Sequence, residues 1–504
     1  MSKRGAAALV AVLLTGSALL TVPTTTAAAA APGALGVTFG FTNRTMHGGP
    51  YVSATNQILN LPLYLATTDE AKFWDNYVEE LLAAGVDFVA PTIRGYSPTQ
   101  PGVNHSGDPR KLTGLVEAIR RKGATGRLKI SALDDTAASL TDKKNLAKHN
   151  RGGYVPAFDV ADANGTGEGG YQYIWDQNLR AFFQAVPEEH RFTIDGRPVI
   201  YEWSLGNAFF VNQGNGNARK MVEHVRQRAR AEFNVDPYLI VDQSWLTVDP
   251  TVEAAVGGVH SWFSMTRKST LTTFKGRTYG IAVPGFRVVK PDTGTNMNID
   301  PDHGRTLTAS LTATVGAGAV VTLVEGHTDW EENASTWRAA EGSYADRRYD
   351  YPNQMLNVLR RFSRTPFPSP LRVEAETADA YNDTTSGNLW NLYRTSGMDI
   401  EQTGDTGGGW NVGSVASGEW LEWKEVPIQG TVTLKARVAT PNQSAQFRFV
   451  VDGVPGPTTT VNNTGGWQTY ATVNAGTFTL PANSYHSVRI EFIAGSMNVN
   501  YWTT

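Results

Sequence analysis

Between residues 33 and 363 of this 504-residue chain, apolar runs short enough to be buried strands alternate with longer stretches of helical periodicity, and this alternation limits the fold more than any other feature. The runs lie at 36–42, 86–92, 128–133, 198–203, 238–242, 259–263, 279–283 and 317–324. Residues 70–84 place Phe73, Trp74, Tyr77, Val78, Leu81 and Leu82 on one helical face, and 171–185 and 217–233 behave similarly. Only the stretch between the sixth and seventh runs gives poor support for a helix. Eight strands alternating with helices predict an α/β fold, and over this length a (β/α)8 TIM-like barrel rather than an open doubly wound sheet. No glycine-rich phosphate fingerprint follows the first strand, because the glycines of 33–40 precede it or lie within it.

A barrel of this kind works at the face formed just past the carboxyl ends of its strands. The eighth run turns abruptly there into Glu325, His327, Asp329, Trp330, Glu331 and Glu332. Asp329 and Glu332 are three apart, so a helical turn puts both on one side. Two carboxyl groups facing one cavity can divide glycosidic cleavage, one as acid and the other as base or nucleophile. An acidic helix start would explain the same two residues but not the neighbouring Trp330, Trp337 and His327.

Polar and aromatic groups recur at the other strand ends: Asn43, then Arg94 and Tyr96, Asp134 and Asp135, Glu202 and Trp203, Asp242 and Trp245, and His260 and Trp262. With Trp330 they form the expected substrate-binding ring, since sugars offer hydroxyls to polar groups and CH faces to aromatic ones. Each has a plainer reading. Asp134 or Asp135 can cap a helix beginning near 136, Glu202 can be a paired core carboxyl, and His260 a satisfied interior histidine. Asp87, within the second run, fits a support of the barrel floor better than a reacting group.

Residues 1–31 read as a secretory signal: Lys3 and Arg4 precede an apolar core, and a run of alanines supplies a cleavage site. A secreted, extracellular product is expected, with no membrane partner. The chain has no cysteine, so its stability rests on ordinary cores. A net charge of −3 without a basic run excludes a nucleic-acid footprint. Thirteen Trp and 18 Tyr suit ligands that stack on rings, and a monomer that binds polysaccharide is the expectation.

Residues 364–370, with three prolines in seven, read as a short stiff linker. The texture then changes to short alternating strands between Gly, Asn and Thr clusters, at 420–426, 431–438, 446–451 and 487–493. Residues 371–504 are therefore expected to form an all-β jelly-roll sandwich. Glu374 and Glu376, two apart on a strand, project from one face and could chelate a hard cation with carbonyls of the 407–411 loop and Asn500, although such pairs are usually a solvated face.

Two resemblances sharpen these expectations. The strand order, the VPGF turn at 283–286 and the TDWEENA run at 328–334 resemble the barrels of glycoside hydrolase families 71 and 99. They are most similar to a less characterised glycosidase-like family that joins such a barrel to a sugar-binding module. The resemblance implies an endo-acting glycosidase on an α-linked glucan or mannan, with Glu332 as general acid/base and Asp329 as base, and no cofactor for catalysis. Asp329 stands where family 99 has a glutamate, and Glu331 where it has a histidine.

The VEAE run at 373–376, the stretch 407–423, the TGGWQTY run at 464–470 and the closing MNVNYW run at 497–502 resemble family 6 carbohydrate-binding modules. That likeness implies Trp467 as a stacking wall, Asn498 as a hydroxyl partner, Trp410 as a second aromatic and a structural calcium at Glu374, Glu376 and Asn500. Ser414 stands where the family often has an aromatic. The alternative to an enzyme is a polysaccharide-binding protein with a degenerate barrel. A lyase or an esterase is a third class, and no Gly-x-Ser-x-Gly turn supports the esterase.

Overall fold

The computed structural model describes residues 33–40, 58, 60–65, 67, 69–95, 107–135, 158–162, 172, 174–206, 210–290, 294–340 and 349–504. The signal-like segment, Asn43 and Tyr96 lie outside them.

Eight parallel strands form the N-terminal sheet: β1 Ala34–Phe39, β2 Phe88–Ile93, β3 Ala132–Asp134, β4 Arg197–Glu202, β5 Tyr238–Asp242, β6 Gly258–His260, β7 Arg277–Ala282 and β8 Val321–Val324. Parallel pairing runs in the order β6-β5-β4-β3-β2-β1-β8-β7. Gly36 opposite Phe88 shows how the interior is filled, since a Cβ on Gly36 would lie 2.2 Å from the Phe88 ring. That ring stacks on Phe192 with centroids 4.0 Å apart. At the opposite end of the strands from the acids, the Asp87 carboxylate accepts the Leu35 N–H at 2.8 Å, as expected of a floor residue.

The sheet is nearly closed rather than an evident (β/α)8 barrel. Among the described residues no backbone ladder joins β6 to β7, and the seam is bridged by the Tyr279 hydroxyl donating to the Gly257 carbonyl at 3.1 Å. The crossover there holds the strand Ser269–Phe274, which folds back antiparallel on β7. Its sequence explains this: STLTTF is β-branched and aromatic, and the turn after it uses Lys275 and Gly276 at φ 47° and 76°. Seven α-helices therefore accompany eight strands among the described residues: α1 Glu70–Ala84, α2 Leu112–Arg121, α3 Arg180–Ala185, α4 Asn217–Phe233, α5 Ser244–Val248, α6 Arg305–Thr314 and α7 Gln354–Phe362.

The helix signals act locally as expected. Asp69 caps α1 by accepting from Ala71 and Lys72, Gly85 ends it at φ 67°, and Phe73, Trp74, Tyr77, Val78 and Leu81 are buried against the sheet. The apolar run at 317–324 is shorter as a strand than expected. Its first residues close the end of α6, where Ala317 and Ala319 donate to the Thr314 carbonyl and Gly318 takes φ 81°. The 171–185 segment begins as a π-helical turn, Ile174–Leu179, before α3.

The C-terminal part is a β-sandwich of two six-stranded sheets. One runs Ile400–Gln402, Trp410–Val415, Met497–Thr503, Gly430–Ala439, Tyr470–Leu480, with Arg372–Glu374 also on Met497–Thr503. The other is built on Trp420–Val426, His486–Ala494 and Ala445–Val451. Trp423, Phe449 and Trp502 pack between them.

The sandwich is fused to the sheet domain by buried polar contacts. Asp379 accepts from the Asn353 backbone (2.9 Å) and side chain (2.7 Å) and from the Lys424 N–H (2.8 Å). Asn353 in turn accepts from Arg338 at 2.6 Å. Arg338 donates through both terminal nitrogens to Glu79 of α1, and its backbone N–H donates to Glu80. Burial raises the Asp379 carboxyl to about 6 against the hydrogen bonds it accepts.

Candidate functional site

The acids foreseen after β8 do converge. Glu325, Asp329 and Glu332 each place a carboxylate oxygen within 4.8 Å of the others. The loop that presents them is a run of tight turns, not a helix. Gly326 turns at φ 80°, Asn333 at φ 50°, Ala334 donates to the Asp329 carbonyl at 2.9 Å, and the Glu332 N–H donates to the Asp329 side chain at 3.2 Å. Asp329 thus closes a turn where the plainer reading had an acidic helix start, and its carboxyl also interacts with the Glu332 side chain. Glu331, between them in sequence, points outward and is exposed.

Burial pushes Glu325 well above the ordinary carboxylate value, and the charges of Asp329 and Asp135 add to this. Asp329 is also raised, first by burial, against the Glu332 N–H and with Glu331 and Arg94 pulling in opposite directions. Arg94 and Asp135, at the ends of β2 and β3, are paired at 3.0 Å. The loop is anchored from behind: His327 is fully buried, with its Nδ1 2.7 Å from Thr336 Oγ1 and its Nε2 3.4 Å from Glu80.

A second carboxyl pair sits one strand further on. Asp134 and Glu202 are register partners on β3 and β4, both buried, and their side chains share a hydrogen bond. Burial, then Asp134, drives Glu202 well above its usual value. Asn178 donates to Asp134 at 2.7 Å. A small cavity with room for about one water, lined by Asp134, Glu202, Trp203, Ser204, Leu205, Phe210 and Trp245, lies beside them. Trp203 and Trp262 meet edge-to-face at 4.5 Å as half-buried rings.

Other members of the expected ring serve the fold. Trp245 is buried, donating to the Trp203 carbonyl at 2.7 Å. Asp242 accepts the Ser244 N–H at the start of α5. His260 is fully buried, 3.1 Å from the Glu202 carbonyl, with its pKa lowered by burial. Trp330 is 1% exposed, so it packs beneath the acids and offers no face to a ligand. Glu325 and Asn178 were missed as site residues. Glu325 stood in the acidic run, but only the turn at Gly326 swings Asp329 and Glu332 back onto it.

In the sandwich, Trp467 is 43% exposed and Asn498 is buried. Asn498 donates to the Trp467 carbonyl at 2.8 Å and to Glu401 at 2.6 Å. Asn411 and Gln468 donate to the same Glu401 oxygen at 3.2 and 2.8 Å. Trp410 is not in this group. It alternates with Asn411 along its strand, lies 5.9 Å from the Tyr393 ring and has Lys72 of α1 over its own ring at 5.7 Å. In the expected cation site, Glu374 is held by Arg372 at 2.6 and 3.1 Å. Glu376 Oε2 and Asn500 Oδ1 are buried without hydrogen-bond partners, and Asn500 Nδ2 donates to Asp405 at 2.9 Å.

The fold and this polar, aromatic-flanked surface define a protein with a carbohydrate-binding module behind a nearly closed parallel sheet. The family model for the Domain of unknown function DUF5010 matches residues 31–380, and the chain belongs to that family. The family 35 carbohydrate binding module matches residues 394–504, where the sequence motifs resemble family 6.

Solved structures similar to part of the chain include the C-terminal family 6 module of LamC, a marine laminarinase from Zobellia galactanivorans. It is 25% identical over 27% of this chain and 98% of that one, with a TM-score of 0.22. A β-1,3-glucan-binding family 6 module from Bacillus halodurans is 26% identical over 26% and 92%, TM-score 0.22. A module of Cellvibrio mixtus lichenase 5A in complex with cellotriose is 29% identical over 26% and 94%, TM-score 0.21. No curated protein matches the chain.

Proposed function

We propose that this protein is a secreted glycoside hydrolase, held on its polysaccharide by the C-terminal module. The reading takes the N-terminal sheet as a (β/α)8 barrel with one helix replaced by a hairpin, and the sandwich as a jelly roll. The convergence of Glu325, Asp329 and Glu332 at the carboxyl end of β8 carries it. Glu332 gives its proton to the leaving oxygen, and Asp329 acts as base or nucleophile. Glu325, kept protonated by burial, limits the charge in the cluster. The likeness to families 71 and 99 makes an α-linked glucan or mannan the first substrate to try, cut internally.

The test is release of reducing ends by the full chain from α-glucans and α-mannans, with β-1,3- and β-1,4-glucans alongside. Release of oligosaccharides from an α-linked polymer is expected. Retention of a polymer without cleavage of any would make this a binding protein with a degenerate site.

We further propose a structural calcium at Glu374, Glu376 and Asn500. Two buried oxygens without partners, Glu376 Oε2 and Asn500 Oδ1, are the donors a hard cation takes. Bound there, calcium would tie the first strand of the sandwich to the last. A chelator is expected to lower the melting temperature of the full chain by several degrees, and Glu376→Gln to abolish most of that response. An unchanged melting curve would remove the metal.

A further inference from the structure

We propose that Trp390 is the second aromatic wall of the sugar cleft in the sandwich, taking a place that neither Ser414 nor Trp410 can fill. The inference rests on the reading of the C-terminal part as a glycan-binding module.

Trp390 is 37% exposed, and Leu389 beside it 63%, on a turn that is otherwise tightly built. Buried Asn388 accepts the Trp390 and Ile400 N–H groups at 3.3 Å and donates to the Leu392 and Arg394 carbonyls at 2.9 and 3.2 Å. Buried Asp399 accepts the Leu389 N–H at 2.7 Å. Asn391 and Tyr393 are held at φ 51° and 64°, a left-handed conformation that asparagine tolerates and tyrosine rarely adopts. A strained turn pinned by two buried side chains, yet presenting an indole to water, is arranged for preorganised contact rather than for packing.

The indole is aimed at the polar floor already described. A Cβ built on Gly413 would lie 3.0 Å from Glu401 Oε1, 3.2 Å from Asn498 Oδ1 and 3.2 Å from Trp390 Cη2. Trp390 therefore reaches the same small area as Glu401 and Asn498, while Asn498 ties that area to Trp467 from the other side. Glycine at 413 leaves this space open. Two indoles flanking amide and carboxylate groups suit a neutral pyranose, whose CH faces stack while adjacent hydroxyls meet the floor. Ser414, at φ 55° on a bulge, and Trp410, against Tyr393, are directed elsewhere.

Affinity electrophoresis of the full chain through gels containing soluble β-1,3-glucan, xylan, dextran or α-mannan tests this. On whichever polymer retards the wild type most, Trp390→Ala and Trp467→Ala should each weaken retention about tenfold or more. Trp390→Tyr should recover most of it, and a single cooperative melt of Trp390→Ala would show that the loss is of a contact and not of the fold. Unchanged retention by Trp390→Ala beside a loss in Trp467→Ala would overturn the assignment of Trp390 alone. A wild type retarded by none of the four would overturn both the assignment and the glycan-binding reading beneath it.

Discussion

Replacing Glu332 by glutamine is expected to lower turnover of a natural polysaccharide by about two to four powers of ten while leaving its retention by the sandwich unchanged. Glutamine keeps the shape and the hydrogen bond to Asp329 but cannot give and regain a proton. Asp329→Asn should cost as much, and should slow an activated aryl glycoside too, since the base or nucleophile is required whatever the leaving group. Glu332→Gln should spare the bond-breaking step of that activated substrate. Glu325→Gln should cost less than tenfold, because glutamine resembles the protonated form that burial, Asp329 and Asp135 favour. The sign follows from the direction of the shift. Glu325 stays neutral through and above the ordinary carboxylate range, so its charge enters the cluster only as pH rises beyond that. The measurement is initial rate against pH for the three variants. A loss at Glu325 as large as at Glu332 would move the proton donor to the end of β8, and full activity in all three would shift attention to Asp134 and Glu202.

Much of this site was legible because strand ends are local features. Asp134, Glu202, Asp242 and His260 each close an apolar run, and parallel pairing alone then brings Asp134 beside Glu202 and Asp242 beside His260. What could not be read was direction. Trp330 and Trp467 are both tryptophans in loops rich in turn-forming residues, yet one is 1% exposed and the other 43%. The difference lies in distant packing: the 325–338 loop closes over α1, while 464–467 lies at an edge of the sandwich. Trp390 was missed for a related reason. Its turn is built by Asn388 and Asp399, polar residues whose value appears only when their partners, ten or so residues away, are folded against them. The sixth crossover gives poor support for a helix in the sequence, and the structure has the strand Ser269–Phe274 there, paired antiparallel with β7.

Arg338→Ala is expected to destabilise the whole described body by about 3–5 kcal/mol, the cost of leaving a paired buried charge without its partner. Arg338 is 3% exposed, and it is where the acid-bearing loop, α1 and the sandwich meet. Its guanidinium holds Glu79, its Nε holds Asn353, and Asn353 holds Asp379 of the sandwich. Its backbone N–H reaches Glu80, which faces His327 at the root of the loop. Glu79, whose carboxyl burial would raise, is instead held below its ordinary value by Arg338. Removing the guanidinium therefore strands a carboxylate and an amide oxygen together. Glu79→Gln alone should also destabilise, and the double variant Arg338→Met, Glu79→Gln should cost well under the sum of the singles, since neither charge is then left alone. Thermal melts and urea midpoints of the full chain give the comparison. Because this side chain joins both parts, its removal should lower the stability of the N-terminal sheet and of the sandwich alike. Strict additivity in the cycle would show that the pair contributes nothing specific to the junction, and the site loop would then owe its position to its other anchors, such as Gly326 on Thr38 and Asn333 on Arg287.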